Sequence, residues 1–179
     1  MRTWIVAFWT FVATQQSDYV LLGPVAVSVL VTILSLPASV FGNEASIRFG
    51  RHRAITIIML ASAAGLSIGF CAGLSPLILL PLVLVYGLTV PGDSGSLTAG
   101  MNQSAMPENR GATMALHSTI GFATSALGAW GTGIALDVAG GPMSASAWLA
   151  AFSLLAVGIL MGPLALLWSR RTAKPASIA

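Results

Sequence analysis

The sequence predicts an all-α membrane protein, a polytopic bundle of six transmembrane helices. Three observations carry this. First, 56% of the residues are hydrophobic and 7% are charged, against about 25% charged in a soluble domain; so few charges cannot cover a water-soluble globule. Second, the uncharged stretches are long, and about 20 apolar residues suffice for one passage across a bilayer. Third, all eight Lys and Arg residues (Arg2, Arg48, Arg51, Arg53, Arg110, Arg170, Arg171 and Lys174) fall in alternate gaps between those stretches. The other gaps hold Asp18 and Asp137. Cytoplasmic loops collect Lys and Arg, so the pattern predicts both termini in the cytoplasm and a multi-pass protein of the inner (plasma) membrane.

The elements follow in order. Uncharged runs place helices at 3–17, 24–47, 54–72, 77–100, 112–136 and 146–168. The third run extends over 54–92 and is divided at Gly73-Leu74-Ser75-Pro76, a turn signal. All are helices because backbone polar groups in lipid must satisfy one another. The first is short, spanning roughly 22 Å against a core of about 30 Å. A signal peptide would need small residues before its cleavage site, and Phe11-Val12-Ala13 supplies a poor one; a helix lacking its beginning is the preferred reading. Residues 1–169 form one bundle and 170–179 a short basic cytoplasmic tail.

Small residues recur at helix-packing spacing. Ala61, Gly65, Gly69 and Gly73 form a ladder on the third helix, Gly158 and Gly162 repeat it on the sixth, and Gly121, Gly128, Gly131 and Gly133 mark the fifth. Such positions let backbones approach closely in lipid. Pro37, Pro81, Pro91 and Pro163 interrupt helices, each removing a backbone donor.

Composition excludes several functions. The pI of 9.8 does not indicate nucleic-acid binding, because the basic residues are dispersed among membrane-flanking gaps rather than gathered in a stripe. Cys71 is the single cysteine, and only two His are present; no cysteine cluster, paired-histidine metal motif, nucleophile elbow or phosphate loop can be assembled. The expectation is a non-enzyme without metal or cofactor, whose partners are the lipid bilayer and a small-molecule solute.

The segment after the second helix reads Asn43-Glu44-Ala45-Ser46-Ile47-Arg48-Phe49-Gly50-Arg51-His52-Arg53. It resembles the cytoplasmic signature of the major facilitator superfamily, G-x-x-x-D-[RK]-x-G-[RK]-[RK]. Arg48, Gly50 and Arg51 match; Asn43, Ile47 and His52 depart from it. Pro91 to Gly100, followed by Pro107-Glu108-Asn109-Arg110-Gly111, looks like helices ten and eleven of bacterial members. Gly133, Asp137 and Gly140 repeat the spacing of Asn43, Ile47 and Gly50, as inverted three-helix repeats would.

The resemblance implies the C-terminal half of a twelve-helix fold: two inverted three-helix repeats beginning partway into helix seven, in a truncated chain. Its implied function is secondary transport of a small solute. The bundle would rock against a missing N-terminal six-helix half or a second copy of itself. The alternative is a non-transporting membrane assembly partner or relic fragment. By resemblance, Arg48, Gly50, Arg51 and Arg53 form a cytoplasmic gating loop; the same arginines also serve as a topogenic cluster. Glu44 stands four residues from Arg48, one helical turn away.

Four further residues are candidates for a proton or substrate pathway. Asp93 lies inside the predicted fourth helix, about 7 residues from its cytoplasmic end, and His117 enters the fifth helix to a similar depth. An ionisable group there faces a cavity or has a partner. Asp93 therefore either forms a proton-sensitive pair with His117 or anchors Arg48 or Arg51. Gln15 and Gln16 lie near the outer end of the first helix, either lining the cavity or solvating the interface.

Overall fold

In a computed structural model the described residues are 4–15 and 22–172, with the side chains of 169–172 outside that description. They form helices and turns, with no strand among them. The helices are α1 (Ile5–Gln15), α2 (Pro24–Phe49), α3 (Arg51–Ala63), α4 (Leu66–Phe70), α5 (Pro76–Thr89), α6 (Ser94–Ser104), α7 (Arg110–Val138) and α8 (Ala145–Thr172). Taken end to end, α3–α4 and α5–α6 are two interrupted rods, so six rods result.

Four stretches are long and apolar enough to cross a membrane: Pro24–Phe49, Arg51–Phe70, Pro76–Ser104 and Ala145–Trp168. The apolar α1 has 11 residues. The 29-residue α7 is long enough but is not among the four, because Ser, Thr, Gly and His dilute its apolar residues.

Two sequence expectations need correction. The segment around Arg48 is not a loop: α2 continues to Phe49 and α3 begins at Arg51, leaving Gly50 alone between them. Gly50 takes φ 88°, where a side chain is strained, and this one residue folds α3 back along α2. The fourth helix is not continuous either. It breaks over 90–93, where Pro91 supplies no N–H to continue the ladder and Gly92 N–H turns to Thr89 O at 3.1 Å.

The bundle has two unlike ends. At the Gly140 end, Phe8 of α1 meets Trp148 and Phe152 of α8 edge-on, with centroids 5.0 and 5.3 Å apart. Tyr86 meets Phe152 from the other side at 6.0 Å. Edge-to-face pairs of this kind add about 0.5–1.5 kcal/mol each beyond burial. Trp9 Nε1 donates to Leu22 O and Trp148 Nε1 to Pro142 O, at 2.7 and 2.8 Å. At the other end lie Arg48, Arg51, Arg53 and Arg110, where α2, α3, α6 and α7 begin or finish. Only Thr132 and Leu136, both near its far end, are buried on α7.

Close approaches of glycine fix the rods. Gly42 of α2 lies against the Gly92 carbonyl, and a side chain there would occupy the oxygen's own space. A Cβ at Gly65 would strike the Tyr86 ring, and one at Gly69 would lie 3.1 Å from Leu149 Cα. Of the other expected packing glycines, Gly131 faces Leu154 and Gly133 faces Trp4. Gly128 is a correction: nothing lies within 4 Å of its Cβ direction, because that stretch of α7 has no neighbour there. Gly73 and Gly158 are open in the same way.

Candidate functional site

A groove runs along α6 and α7 toward the arginine end. Its first part is an open cavity of about 640 Å³ lined by Ser39, Ser94, Gly95, Thr98, Ala99, Asn102 and Met114. The second part, about 480 Å³, shares Ser94 and Thr98 and adds Val90, Pro91, His117, Ser118, Gly121, Phe122, Ser125 and Ala129. Among the described residues no Lys, Arg, Asp or Glu lines either part. The surface is hydroxyls, one carboxamide, one imidazole and a phenyl ring, which can donate and accept hydrogen bonds without a fixed charge.

Helical spacing builds this lining. Ser94, Thr98 and Asn102 recur every fourth residue and share one face of α6. On α7, His117, Ser118, Gly121 and Ser125 share a face, while Leu116, Ile120, Leu127, Trp130 and Ile134 fall on the opposite one. At 100° per residue those five lie within about 40° of a common line. All five are exposed. Trp4 Nε1 donates to Ala129 O at 2.9 Å, so α1 begins to cover α7 there, and the helix from Arg110 to Gly128 stands largely uncovered.

Asp93 and His117 do not come together. Asp93 precedes α6 at the break, rather than lying inside a helix, and lines a separate cavity with Met59, Ser62, Gly158, Ile159 and Gly162. His117 lines the groove. The reason is rotation about the helix: neighbouring residues point about 100° apart, so Ser94 faces the groove and Asp93 faces α3 and α8. Nor does Asp93 anchor an arginine. Arg48 Nε pairs with Glu44 Oε1 at 2.8 Å, both side chains exposed. Arg51 donates to Gln103 Oε1 at 3.0 Å and lies against Gly100, tying the start of α3 to the end of α6. Arg53 has no hydrogen-bond or ion-pair partner among the described residues. Gln15 ends α1 and is exposed; Gln16 lies outside the described residues.

Sequence reasoning missed the groove's hydroxyl lining. The signal was the four-residue recurrence of Ser94, Thr98 and Asn102, and the matching polar stripe on α7. It also missed Ser96, whose buried Oγ has no partner among the described residues; Asn43, a polar candidate from its type, likewise has a buried Oδ1 without one. Among the described residues no group of three or more His, Cys, Asp or Glu could hold a metal.

No family model, curated protein or solved structure matches the chain.

Proposed function

We propose that the chain is a six-helix membrane bundle of a secondary transporter of the major facilitator type, and that the α6–α7 groove lines the path of a small solute. The observation that carries this is the two-faced character of α7. Its apolar stripe is exposed, with Trp130 at 68% and Leu127 at 65%, while its opposite face presents His117, Ser118 and Ser125 to a groove. In lipid the stripe meets hydrocarbon and the polar face meets a water-filled path, which is where polar residues are tolerated inside a membrane.

The packing pattern supports an inverted repeat. Pairing α1 with α5–α6, α2 with α7, and α3–α4 with α8 maps most neighbours onto neighbours, the exception being the broad contact of α2 with α5–α6, which has no counterpart of like extent between α7 and α1. The α2·α3 contact corresponds to α7·α8, and α1·α2 to α6·α7. The α1–α8 aromatic contact corresponds to α3–α5. Gly50 and Gly140, which follow α2 and α7, both have positive φ, 88° and 110°. Both interrupted rods would bend as the bundle rocks against a partner, a companion six-helix bundle or a second copy. The Arg51–Gln103 bond at the arginine end, placed in the cytoplasm by charge bias, would make and break in that motion.

The test is single cysteines in a Cys71→Ser background, in native membranes. Cysteines at Ser118 and Ser125 are expected to react with a membrane-impermeant maleimide, and one at Leu164 to stay unreactive. Equal reactivity at Leu164, or none at either groove position, would remove the aqueous path and the transport reading with it.

A further inference from the structure

Four carboxylates lie among the described residues. Glu44, Glu108 and Asp137 are exposed, and only Asp93 is partly buried. Its cavity, of about 150 Å³, has room for about five waters at 30 Å³ each. Ser62 donates its hydroxyl proton to Ile58 O at 2.9 Å, which leaves the oxygen's lone pairs able to accept or to ligate. Among the described residues no other titratable side chain lines the cavity: α3 contributes Met59 and Ser62, and α8 contributes Gly158, Ile159 and Gly162. None of the described charged side chains on the packed helices lines it, and those of Arg170 and Arg171 on α8 lie outside the described residues. On α2, Glu44 and Arg48 hold each other; on α3, Arg51 holds Gln103 while His52 lines another cavity and Arg53 is exposed; on α7, His117 lines the groove. A partly buried carboxylate without a counter-charge gives up hydration that no neighbouring group replaces. A proton or a cation offsets that loss.

We propose that the Asp93 cavity is a monovalent-cation site, filled by a proton on the carboxylate or by a sodium ion held between the carboxylate, Ser62 Oγ and water. The site lies at the α5–α6 break, and Val90 lines both this cavity and the groove. Occupancy therefore sets the angle between α5 and α6, and with it the position of Ser94 and Thr98. This coupling rests on the transport reading; the binding itself does not.

The test reads binding alone, on the full chain purified in detergent, without solute. Thermal unfolding is followed in sodium chloride and in choline chloride at equal ionic strength, from mildly acid to alkaline pH. A ligand that binds only the folded state raises the midpoint, by about 3 °C per kcal/mol at this chain length. For a sodium site, sodium raises the wild-type midpoint by about 3 °C or more at alkaline pH and choline does not. For a proton site, acid raises it and sodium adds nothing. Asp93→Asn raises the alkaline midpoint and abolishes either response. Gly158→Leu fills the cavity from a position with no atom near its Cβ; it removes the sodium response and shifts the infrared band of a protonated carboxyl. The proposal is overturned if wild type and Asp93→Asn respond alike. If Asp93→Asn does not fold, it is overturned when Gly158→Leu keeps the full wild-type sodium response and no protonated-carboxyl band appears on acidification. Groove cysteines reactive in membranes alongside either result would leave the transport reading standing, so the two fail separately.

Discussion

The Gly140 end and the arginine end are built from the same helices by opposite means. At the first, Phe8, Trp148, Phe152 and Tyr86 interlock, and Ile5, Val27, Leu79 and Leu136 are at most 2% exposed around them. At the second, α6 and α7 part around a groove whose lining is Ser, Thr, Asn and His. Lipid tails are as apolar as Leu, so hydrophobicity alone does not hold helices together in a bilayer; shape-matched packing and hydrogen bonds do. The closed end has that packing and the open end does not. The difference locates rigidity at one end and room for a ligand and for motion at the other.

The largest expected effect comes from deleting the shared ring of the closed end. Phe152→Ala should destabilise the purified protein by about 3–5 kcal/mol, as large-to-small changes in a core do, read from the unfolding midpoint in detergent. Phe122→Ala, which removes a ring 78% exposed at the groove, should change it by less than about 0.5 kcal/mol. Equal losses would erase the distinction between the two ends.

Next is the crossing of α2 with the α5–α6 break. Gly42→Ala drives a methyl group into the Gly92 carbonyl, a backbone atom that no rotamer change can move aside, and should cost about 1–3 kcal/mol. Gly128→Ala meets nothing and should stabilise α7 by up to about 1 kcal/mol through helix propensity alone. Opposite signs at two helical glycines would show that the crossing, rather than glycine itself, carries the effect.

Much of this contrast could be read from the residues. The six rods follow from the uncharged runs, and Gly50 was marked by its basic neighbours. Pro91 was marked as an interruption like Pro37, Pro81 and Pro163, but only at Pro91-Gly92 does the helix break outright, over 90–93, while the other three stay inside their helices. An apolar run tells where a chain can cross lipid, whereas a local break depends on which backbone donors are missing. The Asp93–His117 pairing failed for a similar reason: equal depth along two helices says nothing about rotation around them. Gly42 was passed over although Ala38, Gly42 and Ser46 form a four-residue small-residue ladder on α2, and its role depends on Gly92, fifty positions away. The groove face of α7 was present as a period of 3.6 in Ser and His, hidden among the glycines that drew attention.

A comparable effect is expected at Gly50. Its φ of 88° with ψ of 128° is a sparsely populated conformation that costs an L-residue about 1–3 kcal/mol, so Gly50→Ala should lower stability by that amount while Gly23→Ala, with a β-region φ of −66° and no atom within 4 Å, should not. The comparison separates a turn that needs glycine from a helix entry that tolerates it.

The smallest effects distinguish the two arginines at the open end. The Arg48–Glu44 pair spans one helical turn with side chains 69% and 48% exposed. Water and salt screen such a pair, so Glu44→Gln should change stability by no more than about 0.5 kcal/mol, and added salt should reduce even that. Arg51 binds a neutral acceptor on another helix, Gln103, and rests on Gly100. Arg51→Ala should therefore cost about 1 kcal/mol, as a single hydrogen bond does, and Gln103→Ala in the Arg51→Ala background should cost almost nothing further. Additive losses in that double-mutant cycle would mean that the two side chains do not hold α3 to α6.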